Sequence, residues 1–156
     1  TSTTTPTNTP TETPIPACII GSANLSWDDT NKYVAWQVTN NSEYTVRMIR
    51  VKISWPGTVV PKPRLNNIKV NGVDVWTGNP DTPPIEVCDS AQYSTCSYYF
   101  TGLNGLREIG AGVTAEIKFV FSKAPPTGDY AVDATFLNIT SLGKCTAQAS
   151  GYYTAP

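Results

Sequence analysis

Residues 46–55 read VRMIRVKISW, and this stretch decides the class of fold that we expect. Apolar and polar side chains alternate along its second half, where Ile49, Val51, Ile53 and Trp55 are interleaved with Arg50, Lys52 and Ser54. Successive side chains of a β-strand point to opposite faces of the sheet. A period of two therefore predicts a strand with one buried face and one exposed face.

The same period recurs in three other stretches. They are residues 33–39, with Val34, Trp36 and Val38 on one face; residues 113–121, with Val113, Ala115, Ile117, Phe119 and Phe121; and residues 130–136, with Tyr130, Val132, Ala134 and Phe136. Residues 65–70 and 73–76 flank Asn71 and Gly72, a dipeptide typical of a two-residue hairpin turn. No stretch of useful length has a helical period. Seven to nine short strands separated by turns predict an all-β fold, an immunoglobulin-like antiparallel β-sandwich.

Residues 1–16 read TSTTTPTNTPTETPIP and differ in composition from the rest of the chain. This stretch has little to bury, and its prolines favour an extended polyproline II conformation. We therefore divide the chain into a Thr/Pro-rich extended tail or linker, residues 1–16, and an immunoglobulin-like domain, residues 17–156. Thr/Pro tracts are typical of O-glycosylated extracellular stalks. The candidate sites of O-glycosylation are Thr3, Thr4, Thr5, Thr7, Thr9, Thr11 and Thr13.

Charge and hydropathy exclude several classes of partner. The formal net charge of the 156 residues is −1, so neither nucleic acid nor an anionic membrane surface is expected to bind. No apolar run approaches the roughly 20 residues of a membrane span. The chain carries no signal peptide and does not begin with Met, so we expect a mature or processed product, or a piece of a longer one.

The four cysteines are Cys18, Cys88, Cys96 and Cys145. An even count beside a stalk-like tail predicts two disulfides and a secreted, extracellular or cell-surface location. Zinc is the competing use, but the sequence has no CxxC pair and no His. Three pairings are possible; the first choice joins Cys18 to Cys145, because domain termini often lie close together, and leaves Cys88 with Cys96 in a short loop.

Taken in order, the strands resemble a known family of modules. The matching segments are VAWQVTN at 34–40, IRVKISWP at 49–56, LNNIKVNGVDVWTG at 65–78, LREIGAG at 106–112, IKFVF at 117–121, YAVDATF at 130–136 and the late Cys145. Together they resemble the immunoglobulin-like modules of large secreted bacterial surface proteins, which are commonly joined by Thr/Pro linkers. The resemblance covers residues 18–145, and residues 81–99 look like an elaboration on it. It implies a β-sandwich with a structural or adhesive role and supplies no catalytic residues.

The sequence offers little chemistry. Without His, the usual catalytic triads and most metal sites are absent, and the carboxylates fall mostly in turns or at outward strand positions. We therefore expect no enzyme activity, no catalytic residue and no cofactor. Asp28, Asp29 and Asn31 could supply oxygen ligands to calcium, but a plain hairpin turn explains them at least as well, so no metal site is assigned.

Aromatic residues are the most suggestive functional feature. Trp36 and Trp55 are in phase with apolar neighbours and are predicted to lie in the core. Seven others lie near strand ends or loops: Trp27, Trp76, Tyr93, Tyr98, Tyr99, Tyr152 and Tyr153. Exposed rings of this kind can pack against another subunit or stack on sugars, and some cap the ends of a core. We favour core or subunit contact over sugar binding.

These features lead to one functional hypothesis and one alternative. The first is a structural subunit of an extracellular or cell-surface filament, self-assembled from identical copies. Its Thr/Pro tail would contact neighbouring subunits, bridge successive sandwiches and be O-glycosylated. The alternative is a carbohydrate-binding module tethered by its linker to an enzyme or surface layer. A glycoside hydrolase is a weak third possibility, because it would need two carboxylates facing each other across a cleft.

Overall fold

The computed structural model describes residues 1–4, residue 10 and residues 18–156. Residues 1–4 and Pro10 are exposed to solvent. The rest of the Thr/Pro tail lies outside the described residues, and so does its predicted polyproline II conformation. The division of the chain at residue 16 stays a prediction.

Within the described residues, twelve β-strands form two packed sheets. In chain order they are β1 (Ile20–Ser22), β2 (Ser26–Asp28), β3 (Tyr33–Asn40), β4 (Val46–Ser54), β5 (Leu65–Val70), β6 (Val73–Thr77), β7 (Ile85–Cys88), β8 (Tyr98–Tyr99), β9 (Glu108–Ile109), β10 (Thr114–Phe121), β11 (Gly128–Asn138) and β12 (Lys144–Tyr153). The first sheet has the order β1-β3-β10-β5-β6, with β2 also paired to β3. The second has the order β12-β11-β4-β7-β8, with β9 also paired to β4. The predicted all-β sandwich is confirmed.

The strand order is that of an immunoglobulin constant-type domain. Strands β1, β3, β4, β5, β10, β11 and β12 occupy, in chain order, the places of strands A to G in that fold, with A, B, E and D in one sheet and C, F and G in the other. The other five strands have two to five residues and were not all foreseen, because strands this short show no clear period. Strands β7 and β8 pair in parallel, so the second sheet is mixed rather than wholly antiparallel. Within the described residues there is no α-helix, only a 3₁₀ turn at Asn104–Arg107.

The core lies between the two sheets and follows the predicted period for most of its length. Trp36 is fully buried and Trp55 is 2% exposed, which confirms the prediction for both rings. The alternate residues of β11 and β10 are buried as expected. Val113 departs from the prediction, because it precedes β10 and its side chain is 46% exposed.

A β-bulge in β4 changes which side chains in the first half of the strand face the core. Met48 pairs with Phe136, and Arg50 pairs with Thr135, so Ile49 is an extra residue on β4. An extra residue reverses the alternation on one side of it. Val46 and Met48 therefore join the core cluster before the bulge, and Ile49, though fully buried, lies outside that cluster.

Two turns position the strands around this core. Asn71 and Gly72 have φ values of 49° and 82°, as a two-residue hairpin with the twist of its strands requires, and they join β5 to β6 as predicted. The connection from β10 to β11 crosses between the sheets. There the hydroxyl of Tyr130 donates a hydrogen bond of 2.7 Å to the carbonyl of Pro126, four residues upstream. This bond resembles the tyrosine corner of immunoglobulin domains.

Candidate functional site

The structure contains both disulfides that rank first on sequence grounds. Cys18, directly after the tail, is bonded to Cys145 in β12, with 5.6 Å between their Cα atoms and a sequence separation of 127. Cys18 is 8% exposed and belongs to the core cluster. The point at which the tail meets the sandwich is thus covalently joined to the last strand. We call Cys18, β1 and β12 the clamped edge.

The second disulfide joins Cys88, at the end of β7, to Cys96. The Glu86 carboxylate oxygen lies 3.7 Å from one sulfur and 3.6 Å from the other. These three side chains are the one group in the described part of the chain close enough together to hold a metal ion. Because the two sulfurs are bonded to each other, they offer no thiolate, and the group does not constitute a metal site.

Trp76 is not available to a partner or a sugar. Its side chain is 2% exposed and packs edge-on against Tyr98, with ring centroids 5.3 Å apart. The ring folds back over Gly78, where a Cβ atom would lie 2.3 Å from the indole. Its position at a strand end suggested exposure, but the absent side chain at Gly78 lets the ring turn into the core.

Trp27 and Tyr153 close one end of the sandwich. Their rings stack with centroids 5.1 Å apart, and Trp27 also meets Tyr130 edge-on at 5.7 Å. The Tyr153 hydroxyl donates a hydrogen bond to the Asp29 carboxylate. That bond, followed by burial and the charge of Asp29, raises the pKa of Tyr153 to about 12. Both rings are held by intramolecular contacts, so they cap the core.

Asp28 and Asn31 shape the turn beside this cap. The two Asp28 carboxylate oxygens accept hydrogen bonds of 2.7 and 2.8 Å from the backbone and side-chain nitrogens of Asn31. These bonds lower the pKa of Asp28. The residues considered for calcium are thus engaged in a hairpin turn between β2 and β3.

The remaining predicted aromatics lie at two separate places on the molecule. Tyr93, Tyr98 and Tyr99 are half-buried in and around the Cys88–Cys96 loop, where the Tyr99 hydroxyl accepts a hydrogen bond of 3.1 Å from the Cys96 backbone. Tyr152 is different, because its side chain is 65% exposed on the outer face of β12. The seven candidates therefore form no common row of rings, and Tyr152 alone is available as an open surface.

Tyr152 stands beside a groove on the outer face of the second sheet. Ser150 of β12, Ala131 of β11 and Ser54 of β4 are in register across three strands. Because all three side chains are small, this row forms a floor between two rows of larger side chains. We call the groove the outer trough.

The walls of the outer trough come from the neighbouring register positions. On one side Tyr152 pairs with Asp129; on the other Gln148 pairs with Asp133, which pairs with Lys52. The groove has a volume of about 750 Å³, and a second cavity of about 400 Å³, which shares its floor, extends it to Tyr152. Asn24 and Pro84 lie along its length. A sequence read strand by strand does not reveal this site, because its floor depends on the register between distant strands.

A network of ion pairs lies beside the wall of the outer trough that contains Asp133. Arg50 binds Glu86 at 2.6 Å and Asp133 at 2.5 Å. Burial lowers the pKa of Arg50, but the hydrogen bonds and charges of these two carboxylates outweigh it, and the pKa is raised. Arg50 is thus shared by two carboxylates, and the three groups together carry a formal charge of −1. Lys52 and Asp129 then contribute one charge of each sign to the walls.

Comparison with known proteins identifies no family. No protein-family model matches the chain, and no curated protein matches it. Among solved structures, the crystal structure of BslA, a bacterial hydrophobin, matches with 12% identity and a TM-score of 0.42 over 90% of this chain and 95% of that one. The serine-rich repeat protein Srr2 from Streptococcus agalactiae matches with 12% identity and a TM-score of 0.37 over 88% of this chain and 45% of that one. At these values neither similarity bears on what this chain does.

The described residues contain no helix that is both long and apolar enough to cross a membrane.

Proposed function

We propose that this chain is a structural subunit of an extracellular or cell-surface filament, in which the tail contacts neighbouring subunits. The observation that carries the proposal is the clamped edge. A subunit in a filament must pass tension from one neighbour to the next without unfolding. The Cys18–Cys145 bond lies at the junction between the tail and the sandwich, where such tension would enter.

The load path through the clamped edge is short. Tension applied to the tail reaches Cys18, crosses the disulfide to Cys145 and continues along β12 toward Pro156. Every described strand except β12 lies within the loop that this bond closes. Because the bond is covalent, stretching the chain between its ends can peel β12 but cannot extend the rest of the sandwich.

Single-molecule stretching tests this load path. The chain held at its two ends should lengthen only by the tail and the residues beyond Cys145 while the disulfide is intact. Reduction should add the whole loop between the two cysteines to the extension. An oxidised chain that released the full loop would contradict the load path.

The surface chemistry supports a structural rather than a catalytic role. Six carboxylates of the described part of the chain are held in ion pairs: Glu86, Asp133, Glu108, Asp74, Asp89 and Glu116. A carboxylate held in an ion pair is already engaged within the protein and is not free to contact a substrate as a general acid or base. We therefore propose that the chain has no enzyme activity of its own.

The resemblance to immunoglobulin-like surface modules supports an extracellular location for the protein and a linker role for its tail. Two disulfides require an oxidising compartment, which fits secretion to the cell surface. Thr3 and Thr4 of the tail are exposed, as O-glycosylation requires. The other candidate threonines, Thr5, Thr7, Thr9, Thr11 and Thr13, lie outside the described residues.

Electron microscopy of material from the native source tests assembly. We expect filaments with a regular repeat, and we expect deletion of residues 1–16 to abolish them or change the repeat. A matched control replaces residues 1–16 with a Gly/Ser segment of equal length, which keeps the reach but loses the Thr/Pro chemistry. Native material that consists of dispersed monomers would overturn the proposal. Filaments with an unchanged repeat after deletion would show that the tail is not the connector.

A further inference from the structure

The outer trough has the features of a ligand site, and we infer that it binds a neutral oligosaccharide chain. This goes beyond a structural role, because a filament subunit needs no groove of this kind. It gives the carbohydrate-binding alternative a specific place on the molecule. The inference rests on the shape, hydrogen-bonding capacity, charge and one exposed ring of the trough.

The shape suits an extended chain rather than a compact ligand. The trough crosses β12, β11 and β4 and reaches Pro84, which directly precedes β7. Strands lie about 4.8 Å apart, so four strands span about 14 Å. Its floor is flat because Ser54, Ala131 and Ser150 carry short side chains in one row. A short oligosaccharide can lie along such a floor.

The trough holds hydrogen-bonding groups that have no partner among the described residues. Within the described residues, no hydrogen bond or ion pair engages the side chains of Lys52, Gln148, Ser150 or Tyr152. Their groups include both donors and acceptors. Sugar hydroxyls both donate and accept hydrogen bonds, so they match this mixed set.

The outer face of the first sheet shows that this is not a general property of the surface. There Thr39 is bonded to Thr114 at 2.7 Å, and Gln37 is bonded to Glu116 at 3.1 Å. Lys118 and Lys69 each form an ion pair, with Glu116 and Asp74 respectively. On that face these polar side chains pair with one another, whereas the four side chains named in the trough remain available.

Charge selects the class of sugar. Arg50 is shared by Asp133 and Glu86, and the charges of Lys52 and Asp129 are opposite in sign. These five groups therefore carry a formal charge of only −1, which repels an anionic chain and gives a cationic chain little attraction. A neutral oligosaccharide is the ligand that such a lining fits.

Tyr152 supplies the apolar contact. Its ring is 65% exposed at the wall of the trough, and no other ring contacts it within the described residues. One face of a pyranose ring carries C–H groups that pack on an aromatic ring. Tyr152 is therefore the side chain whose loss should weaken binding most directly.

An NMR titration of the full chain tests the inference. The probes are cellohexaose, xylohexaose, mannohexaose and chitohexaose, with a galacturonic acid oligomer as the charged comparison. We expect at least one neutral probe to shift amide signals of β4, β11 and β12 around the trough, and the galacturonic acid oligomer to bind more weakly. No shift with any neutral probe at millimolar concentration would overturn the inference, and so would shifts confined to another surface or a preference for the charged oligomer.

Two variants locate the binding. Tyr152→Ala should weaken the affinity by about tenfold, the loss of one ring contact. Ala131→Phe should abolish binding, because a large side chain on the outward face fills the floor. Tyr44→Ala is the matched control, since Tyr44 is also exposed, at 43%, but lies away from the trough. If Tyr152→Ala and Ala131→Phe both bound the oligosaccharide as tightly as the unmodified chain does, the proposed site would be wrong. An unchanged unfolding midpoint in each variant excludes misfolding as the cause of lost binding.

Discussion

The clamped edge and the 81–107 segment are both held by a disulfide, but they depend on it in different ways. At the clamped edge one bond joins residues that are 127 positions apart. In the 81–107 segment the bond closes a loop between residues 8 positions apart, and a buried polar network supplies further order. A long-range bond limits the whole unfolded chain, whereas a local bond limits only its own loop.

Arg107 is the centre of the polar network in the 81–107 segment. Its guanidinium donates to the Met48 carbonyl at 2.6 Å, the Asn104 side chain at 2.7 Å and the Asp89 carboxylate at 3.2 Å. It also lies over the Phe100 ring, 4.5 Å from its centroid. Burial lowers the pKa of Arg107, and the charge of Asp89 offsets part of this effect. The segment is therefore attached to β4 by side chains as well as by its strands.

The largest effect should come from removing the clamp. The double variant Cys18→Ser, Cys145→Ser should lower the free energy of unfolding by up to about 5 kcal/mol, because the unfolded chain regains the entropy of a large loop. Denaturant unfolding under oxidising conditions measures this change. A loss no larger than that of the short-loop variant described below would show that loop length does not govern the difference between the two regions.

The second effect concerns the network. Arg107→Met leaves Asp89 as a buried charge without its cation, and it should cost about 3–5 kcal/mol. The matched control is Arg47→Met, which breaks the half-exposed Arg47–Glu108 pair and should cost no more than about 1 kcal/mol. Thermal unfolding of both variants tests the contrast. Equal losses would mean that the Arg107 network contributes no more than a surface ion pair.

The third effect is smaller and local. Cys88→Ser, Cys96→Ser should cost about 2–3 kcal/mol, because the loop that this bond closes is short. Hydrogen exchange should speed up at the Phe100 amide, which donates to the Cys88 carbonyl at 2.9 Å. Amides of β11 serve as the internal control and should change only as much as global stability does. Faster exchange throughout β11 beyond that amount would show that the two regions are not independent.

The smallest effect should appear only at high pH, near the clamped edge. The pKa of Tyr153 is raised to about 12 in the folded protein, from an ordinary value near 10.0. The unfolded chain therefore loses this proton first as the pH rises. The stability that Tyr153 contributes should be complete below pH 10 and should disappear as the pH approaches 12.

Tyr153→Phe isolates this contribution. The variant should show a shallower loss of stability between pH 10 and 12 than the unmodified chain, although Tyr130, whose pKa is also raised, keeps part of the slope. Tyr152→Phe is the matched control, because Tyr152 is exposed. Unfolding midpoints followed by circular dichroism across this range give the comparison. Identical pH profiles for all three chains would contradict a role for the Tyr153–Asp29 bond.

The class of fold and most of the core were predictable from the amino-acid sequence alone. Val34, Trp36 and Val38 show why, because a period of two along one strand is a local property that requires no knowledge of the partner strand. The Asn71-Gly72 hairpin was equally predictable, since the positive φ values of the turn depend on these two residues. The immunoglobulin-like sandwich was predicted from the number of short strands and the turns between them, and the resemblance to immunoglobulin-like modules agreed with that prediction.

The burial of Trp76, the bulge at Ile49 and the outer trough depend on tertiary contacts and were not predictable from the sequence. Trp76 turns inward because Gly78 leaves space for its ring, and Ile49 is an extra residue of β4 with no counterpart in β11. The floor of the trough needs Ser54, Ala131 and Ser150 in one row, although each is unremarkable in its own strand. Register between strands that are distant in sequence results from packing the whole core, so no local pattern encodes it.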